Sequence, residues 1–227
     1  NFLPDNVVGV AASPDGRQIV YLLPVGGGVV GYVASPNGLN AKKLFSLPFS
    51  QVLVSWPSLK TILVQTKEAT GVPGIAFSIS LAGAINPLIY AESLSATANV
   101  TFSKVVYQST KTASTLRSTY VYDVRNGRDE LLPFNPFPEK CIWSVTASTT
   151  MYCAAPLASM PRNYLDLWHQ GLSSAPDSVL EFDVHSNITS LIAQPGSAQG
   201  GVQADIDQIA ISPDGEYLLY ITRGDRT

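Results

Sequence analysis

Apolar positions in this chain fall into short runs, separated by clusters of Pro, Gly, Asn, Asp and Ser, with no sustained 3.6-residue periodicity. That pattern predicts many short strands and no long helix. Two segments are near copies of each other: Val8 to Leu22, with Ser13-Pro14-Asp15-Gly16 at its centre, and Ile206 to Tyr220, with Ser212-Pro213-Asp214-Gly215. Each reads as a hairpin in which Pro takes the second turn position and Gly supplies the residue with positive φ. Weaker copies align on the second strand, at Gln18–Leu22, Thr61–Gln65, Lys104–Gln108, Thr150–Ala154 and Tyr217–Ile221, whose starts differ by 43, 43, 46 and 67 residues. Third strands are expected at Val29–Ala34, Ile75–Leu81, Thr119–Val124 and Val179–Val184. Fourth strands are expected at Lys43–Leu47, Asn86–Ala91, Glu130–Phe134 and Thr189–Ala193.

A four-stranded unit repeating at this length predicts an all-β propeller of about five blades, over 7–48, 51–91, 94–134, 138–194 and 203–227, in one domain. A two-sheet sandwich also gives many short strands but requires no constant period. The long fourth interval places an insertion at 157–177. The fifth blade has its two inner strands and ends before the outer two, so the sequence reads as part of a larger ring, or as one completed by strand donation from another chain. Asn1-Phe2-Leu3-Pro4 shows neither an initiator Met nor a signal-peptide profile, which suggests a trimmed product.

The Ser-Pro-Asp-Gly unit, followed by two apolar residues and Tyr, resembles the WD40-like propeller repeat of the TolB type, also found in propellers attached to prolyl oligopeptidase-like peptidases. The match is strong at 8–23 and 206–222 and rests on period and pattern from 51 to 155. With the insertion and the paired cysteines, it is similar to uncharacterised bacterial envelope proteins and implies an interaction role in an extracytoplasmic setting.

Charged residues make up only 14% of the chain against 45% hydrophobic ones, the net charge is −3, and no polybasic tract occurs. Nucleic acid is therefore not an expected partner. The longest apolar stretches, such as Ile75 to Ile89, are interrupted by Ser, Gly, Asn and Pro, so no membrane span is expected.

Cys141 and Cys153 are equidistant from Ala147; in a hairpin centred there they face each other, which predicts a cross-strand disulfide, the alternative being two reduced core thiols. With His169 and His185 as the only histidines, no zinc site is expected. Gly26-Gly27-Gly28-Val29-Val30-Gly31 matches a dinucleotide fingerprint in letters but precedes a strand, not a helix. No cofactor is expected.

The insertion predicts a short helix over Tyr164–Gln170, capped by Asn163 and ended by Gly171. Leu165, Trp168 and Leu172 would share its inner face, and Tyr164, Asp166, His169 and Gln170 would be freer to meet solvent. Tyr164, Asp166, Trp168, His169 and Gln170 are thus candidates for binding a protein or envelope component. The alternative is a structural flap whose Trp168 covers a core edge.

No Gly-x-Ser-x-Gly or His-centred constellation points to nucleophilic catalysis, and no catalytic residue is assigned. Because glycosidase propellers use carboxylates at the channel mouth, Asp5, Asp123, Asp183, Asp205 and Asp207 come into question as acids. Asp123 and Asp183 read as a repeated turn feature, which leaves Asp205 and Asp207 as the candidates. Arg223-Gly224-Asp225 and the sequons at Asn99 and Asn187 decide nothing, and Trp56 and Trp143 are expected to pack between blades. The expected function is a non-catalytic binding or scaffold propeller; the alternatives are a carbohydrate-active or peptidase-associated propeller and a structural repeat fragment.

Overall fold

In the computed structural model, which describes residues 3–110, 117–196 and 204–223, five antiparallel sheets follow one another along the chain. The first holds β1 (Gly9–Ala12), β2 (Ile19–Val25), β3 (Gly28–Ala34) and β4 (Lys42–Leu47). The second holds β5 (Val52–Ser58), β6 (Thr61–Thr66), β7 (Pro73–Ser80) and β8 (Ile85–Glu92). The third holds β9 (Ser95–Ala98), β10 (Lys104–Thr110), β11 (Arg117–Asp123) and β12 (Arg128–Leu131). The fourth holds β13 (Cys141–Trp143), β14 (Thr150–Pro156), β15 (Asp177–Asp183) and β16 (Ile188–Ala193), and the fifth holds β17 (Ile206–Ile211) and β18 (Leu218–Thr222). These are the blades of a β-propeller, the last with two strands among the described residues. One expected strand is displaced: Glu130–Phe134 is realised as Arg128–Leu131, because Pro133 cannot donate to the ladder.

The central strands show why continuous apolar runs were needed. Ile62 and Val64 of β6 face the first blade, in a core with Val20, Leu22, Phe45 and Trp56, while Leu63 between them faces the third blade, beside Ala96, Val105 and Tyr107. Val106 then packs towards the fourth blade with Val121, Trp143, Met151 and Phe182. Alternate residues of one strand thus bury themselves in two different interblade cores, which removes the polar-out alternation of a half-exposed strand. Trp56 and Trp143, both about 95% buried, lie in these cores as expected.

The two Ser-Pro-Asp-Gly turns are the same hydrogen-bonded object. Ser13 Oγ donates to Asp15 Oδ1 and accepts from Gln18 N, and Gly16 N donates to Ser13 O; Ser212, Asp214, Tyr217 and Gly215 repeat each bond. Gly16 and Gly215 take φ of 67° and 78°. Asp123 and Asp183 make a related turn at the end of the third strand, accepting from Arg125 N and Asn126 N, and from His185 N and Ser186 N. Burial would raise the Asp183 carboxyl, but the donors from Ser186, Thr149 and His185 outweigh it and hold it down to about 2.

Cys141 and Cys153 are register partners on β13 and β14 and form a disulfide. Cross-linking residues 12 apart removes about 3 kcal/mol of denatured-chain entropy in the loop-closure view. Reduction is therefore expected to lower the unfolding free energy by about that amount. Denaturant titration with and without reductant, with thiol counting, checks it; coincident curves would contradict it. No helix among the described residues is long and apolar enough to cross a membrane.

Candidate functional site: a lobe from the fourth blade

In a blade of four antiparallel strands, the turn between strands two and three lies at the same end as the connector to the next blade. At that end the β14–β15 insertion folds into a lobe with one helix, α1 (Tyr164–His169). Gly171 (φ 76°) ends it as expected. The start differs from expectation: the Asn163 side chain makes no capping hydrogen bond, and Leu167 N bonds to the Asn163 carbonyl instead.

The sequence divided the faces of this helix incorrectly in two places. Tyr164, expected near solvent, is only 1% exposed and stacks on Phe137 with ring centroids 5.2 Å apart. Leu172, expected inside, is 71% exposed, because the chain turns away at Gly171. Leu165 and Trp168 are buried, Asp166 is half-buried, and His169 and Gln170 face outward. Of the five candidate binding residues, two are therefore packing anchors and the remaining three lie at or near the surface.

Trp168 belongs to a buried ionic cluster that no local pattern announced. Lys140, fully buried in the 3₁₀ turn Pro138–Lys140, places its Nζ 2.8 Å from Asp177 Oδ2 and 2.9 Å from Asp205 Oδ1. Trp168 Nε1 donates to the Asp205 carboxylate, 2.9 and 3.0 Å from its two oxygens. Lys140 Nζ and Arg223 Cζ lie 4.4 and 4.3 Å from the indole centroid, close enough for cation–π attraction. Asp177 Oδ2 also accepts from Ile206 N, so its side chain starts β17. Burial raises the Asp177 carboxyl, against the pull of Lys140. Asp205 is thus a structural counter-ion and not the free mouth acid the sequence suggested. Asp207 is half-buried on β17, and Asp5 lies exposed before β1. Arg223 is placed against Trp168, while Gly224 and Asp225 lie outside the described residues.

A second set of contacts ties the lobe to blades two and three. Arg117 on β11 donates to the Arg162 carbonyl (2.8 Å) and to Thr70 Oγ1 (2.9 Å), and pairs with Glu68 Oε1 (2.6 Å). Arg162 pairs with Glu92, and the Asp166 carboxylate accepts from Thr70 N. Burial raises the Glu68 carboxyl against the opposing charge of Arg117. His169 Nε2 lies 3.2 Å from Glu139 Oε2, and that hydrogen bond raises the imidazole pKa above its ordinary value near 6.5. A group raised on folding stabilises below its unfolded pKa and loses that contribution as pH rises through its folded pKa. Amide exchange across 164–170 is therefore expected to be slower at pH 6 than at pH 8 after correction for intrinsic rates. An NMR titration of His169 with a midpoint at or below 6.5 would contradict this.

No protein-family model matches the sequence, and no curated protein matches it. Solved structures do. TolB from Acinetobacter baumannii superposes with a TM-score of 0.63 at 16% identity, over 96% of this chain and 49% of that one. The fold is that of a β-propeller. The β-propeller domain of the trilobed protease from Pyrococcus furiosus matches with a TM-score of 0.61 at 14% identity, over 96% of this chain and 66% of that one. An oligogalacturonate lyase in complex with manganese matches with a TM-score of 0.65 at 13% identity, over 97% of this chain and 63% of that one. The chain thus spans about half to two thirds of the length of these structures. At such identities the likeness carries the fold and leaves the function to the residues.

Proposed function

We propose that this propeller is a non-catalytic, protein-binding scaffold of an extracytoplasmic compartment, with the outer surface of the 157–176 lobe as its recognition platform. The observation that carries the reading is the inward seating of the lobe. Tyr164, Leu165 and Trp168 anchor it, its polar groups bond to Thr70, Glu92, Arg117, Glu139 and Asp205 outside the lobe, and Asp166, His169, Gln170 and Leu172 remain at or near the surface of a braced support. A propeller bearing one anchored insertion suits recognition. The disulfide supports an oxidising compartment, and the TolB likeness points the same way. The burial of Asp205 and Asp177 against Lys140 weighs against acid–base work by those carboxylates.

The test is site-specific photo-crosslinking of the oxidised protein within its native envelope, with the probe at Gln170 or at Asn126, whose turn lies at the opposite end of the blades. A single adduct from position 170, absent from position 126 and lost with a lobe shortened to a glycine linker, is expected. Equal crosslinking from both positions, or polysaccharide cleavage abolished by Asp205→Asn, would overturn the proposal.

A further inference from the structure

Beneath the end of α1 a separate pocket of about 220 Å³ opens between the inner parts of blades two and three. Leu53 of β5, Gln65 of β6, Lys67 and Glu68 of the following turn, Leu94 and Ser95 at the start of β9, Glu139 and His169 form its walls. Two of these residues carry acceptor atoms that the fold leaves unused. Gln65 is 91% buried; its Nε2 donates to Ala96 O at 2.9 Å, which fixes the amide, and its Oε1 has no hydrogen-bond partner. The Glu68 side chain is 96% buried; its Oε1 is ion-paired with Arg117 Nη2 at 2.6 Å, and its Oε2 has no hydrogen-bond partner. Orphaned buried acceptors cost about 1–3 kcal/mol each and call for an explanation.

We propose that this pocket binds a cationic nitrogen group, an alkylammonium or a guanidinium, whose N–H donors satisfy Gln65 Oε1 and the Glu68 carboxylate. Such a group carries several donors and no acceptor, which is the complement of what the walls lack. Glu139 adds a second carboxylate, already partnered by His169. Leu53 and Leu94 flank the space that an aliphatic stem would occupy, as they would for any long cationic side chain. Of the cations nearby, Arg117 is shared with Thr70, Gln108 and the Arg162 carbonyl, and Lys67 is solvent-exposed. A metal ion fits less well, since no set of three His, Cys, Asp or Glu among the described residues is arranged to hold one. The site does not depend on the lobe surface being a platform, because the same chemistry arises from a free amine or from a Lys or Arg side chain of a protein.

The test titrates the oxidised chain with n-butylammonium and with n-butanol, its neutral counterpart, following the Gln65 side-chain amide and the Ser95 backbone amide by NMR. The ammonium is expected to shift both signals, with the alcohol at least ten-fold weaker. Nα-acetyl-lysine amide, compared with the norleucine analogue, separates the sources: tighter binding than butylammonium identifies a protein side chain, and equal or weaker binding identifies a free amine. Glu68→Gln should weaken ammonium binding at least ten-fold. Because that substitution also deprives Arg117, Leu53→Trp is the second variant; it obstructs the pocket, leaves every charge in place and should produce the same loss. Equal affinity for butanol and butylammonium, no binding by either, or ammonium binding unchanged in Leu53→Trp would overturn the proposal.

Discussion

Replacing Lys140 with Met is expected to destabilise the protein by about 3–5 kcal/mol, the usual consequence of removing one partner of a buried ion pair. The substitution nearly conserves volume, so the loss is electrostatic. Asp177 and Asp205, 0% and 6% exposed at their side chains, would remain buried with one cation gone. The pH signature separates this from a packing defect. Without Lys140 the Asp177 carboxyl, already raised by burial, would lie further above its unfolded value, so the folded state would bind more protons and stability would fall as pH rises through that window. The deficit relative to the parent protein should therefore shrink between pH 7 and pH 5 in parallel denaturant titrations. A pH-independent deficit would assign the effect to packing. A deficit below about 1 kcal/mol would mean that the cluster relaxes or takes up water.

Trp168→Ala is the second large effect, again about 3–5 kcal/mol, the range for an aromatic core residue cut to Ala. It removes an indole that is 96% buried, the hydrogen bond to Asp205 and the platform beneath Lys140 and Arg223. The damage should be local. Hydrogen exchange is expected to rise in 157–176 and in the fifth-blade hairpin, with little change in β2, whose Val20 and Leu22 lie in the core between the first two blades. Because both side chains act on Asp205, the double variant should cost less than the sum of the single ones. Full additivity would show that the two contacts are energetically separate.

The parts of this molecule that were legible in the sequence are those with local causes. The turns at Ser13 and Ser212 announce themselves because four consecutive residues contain the whole hydrogen-bond network, and the Cys141–Cys153 register follows from the symmetry of one short hairpin. The lobe was legible only in part, since its helix and stop signal are local but its orientation is not. Tyr164 turns inward because Phe137, 27 positions away in sequence, offers a stacking face. Nothing in the local sequence marks Lys140 for burial; it is buried because carboxylates 37 and 65 residues further on converge on it. Glu68 and Arg117 were passed over for the same reason. The one available hint was indirect: in a chain with so few charged residues, each charge at the edge of an apolar strand warrants a search for a partner.

The distribution of the lobe's partners along the chain also bears on the order of folding. Thr70 lies 96 residues before Asp166, and Asp205 lies 37 residues after Trp168. Contacts of such span are made late, after the entropy of closing large loops has been met by other interactions. In a chain emerging from its N-terminal end, blades one to three can pair and pack before α1 exists, yet the indole N–H of Trp168 has no Asp205 acceptor until the start of the fifth blade follows. Seating of the lobe would then act as a completion signal, and until it occurs Trp168, Tyr164 and a Lys140 still lacking Asp205 are the surfaces a folding helper would encounter.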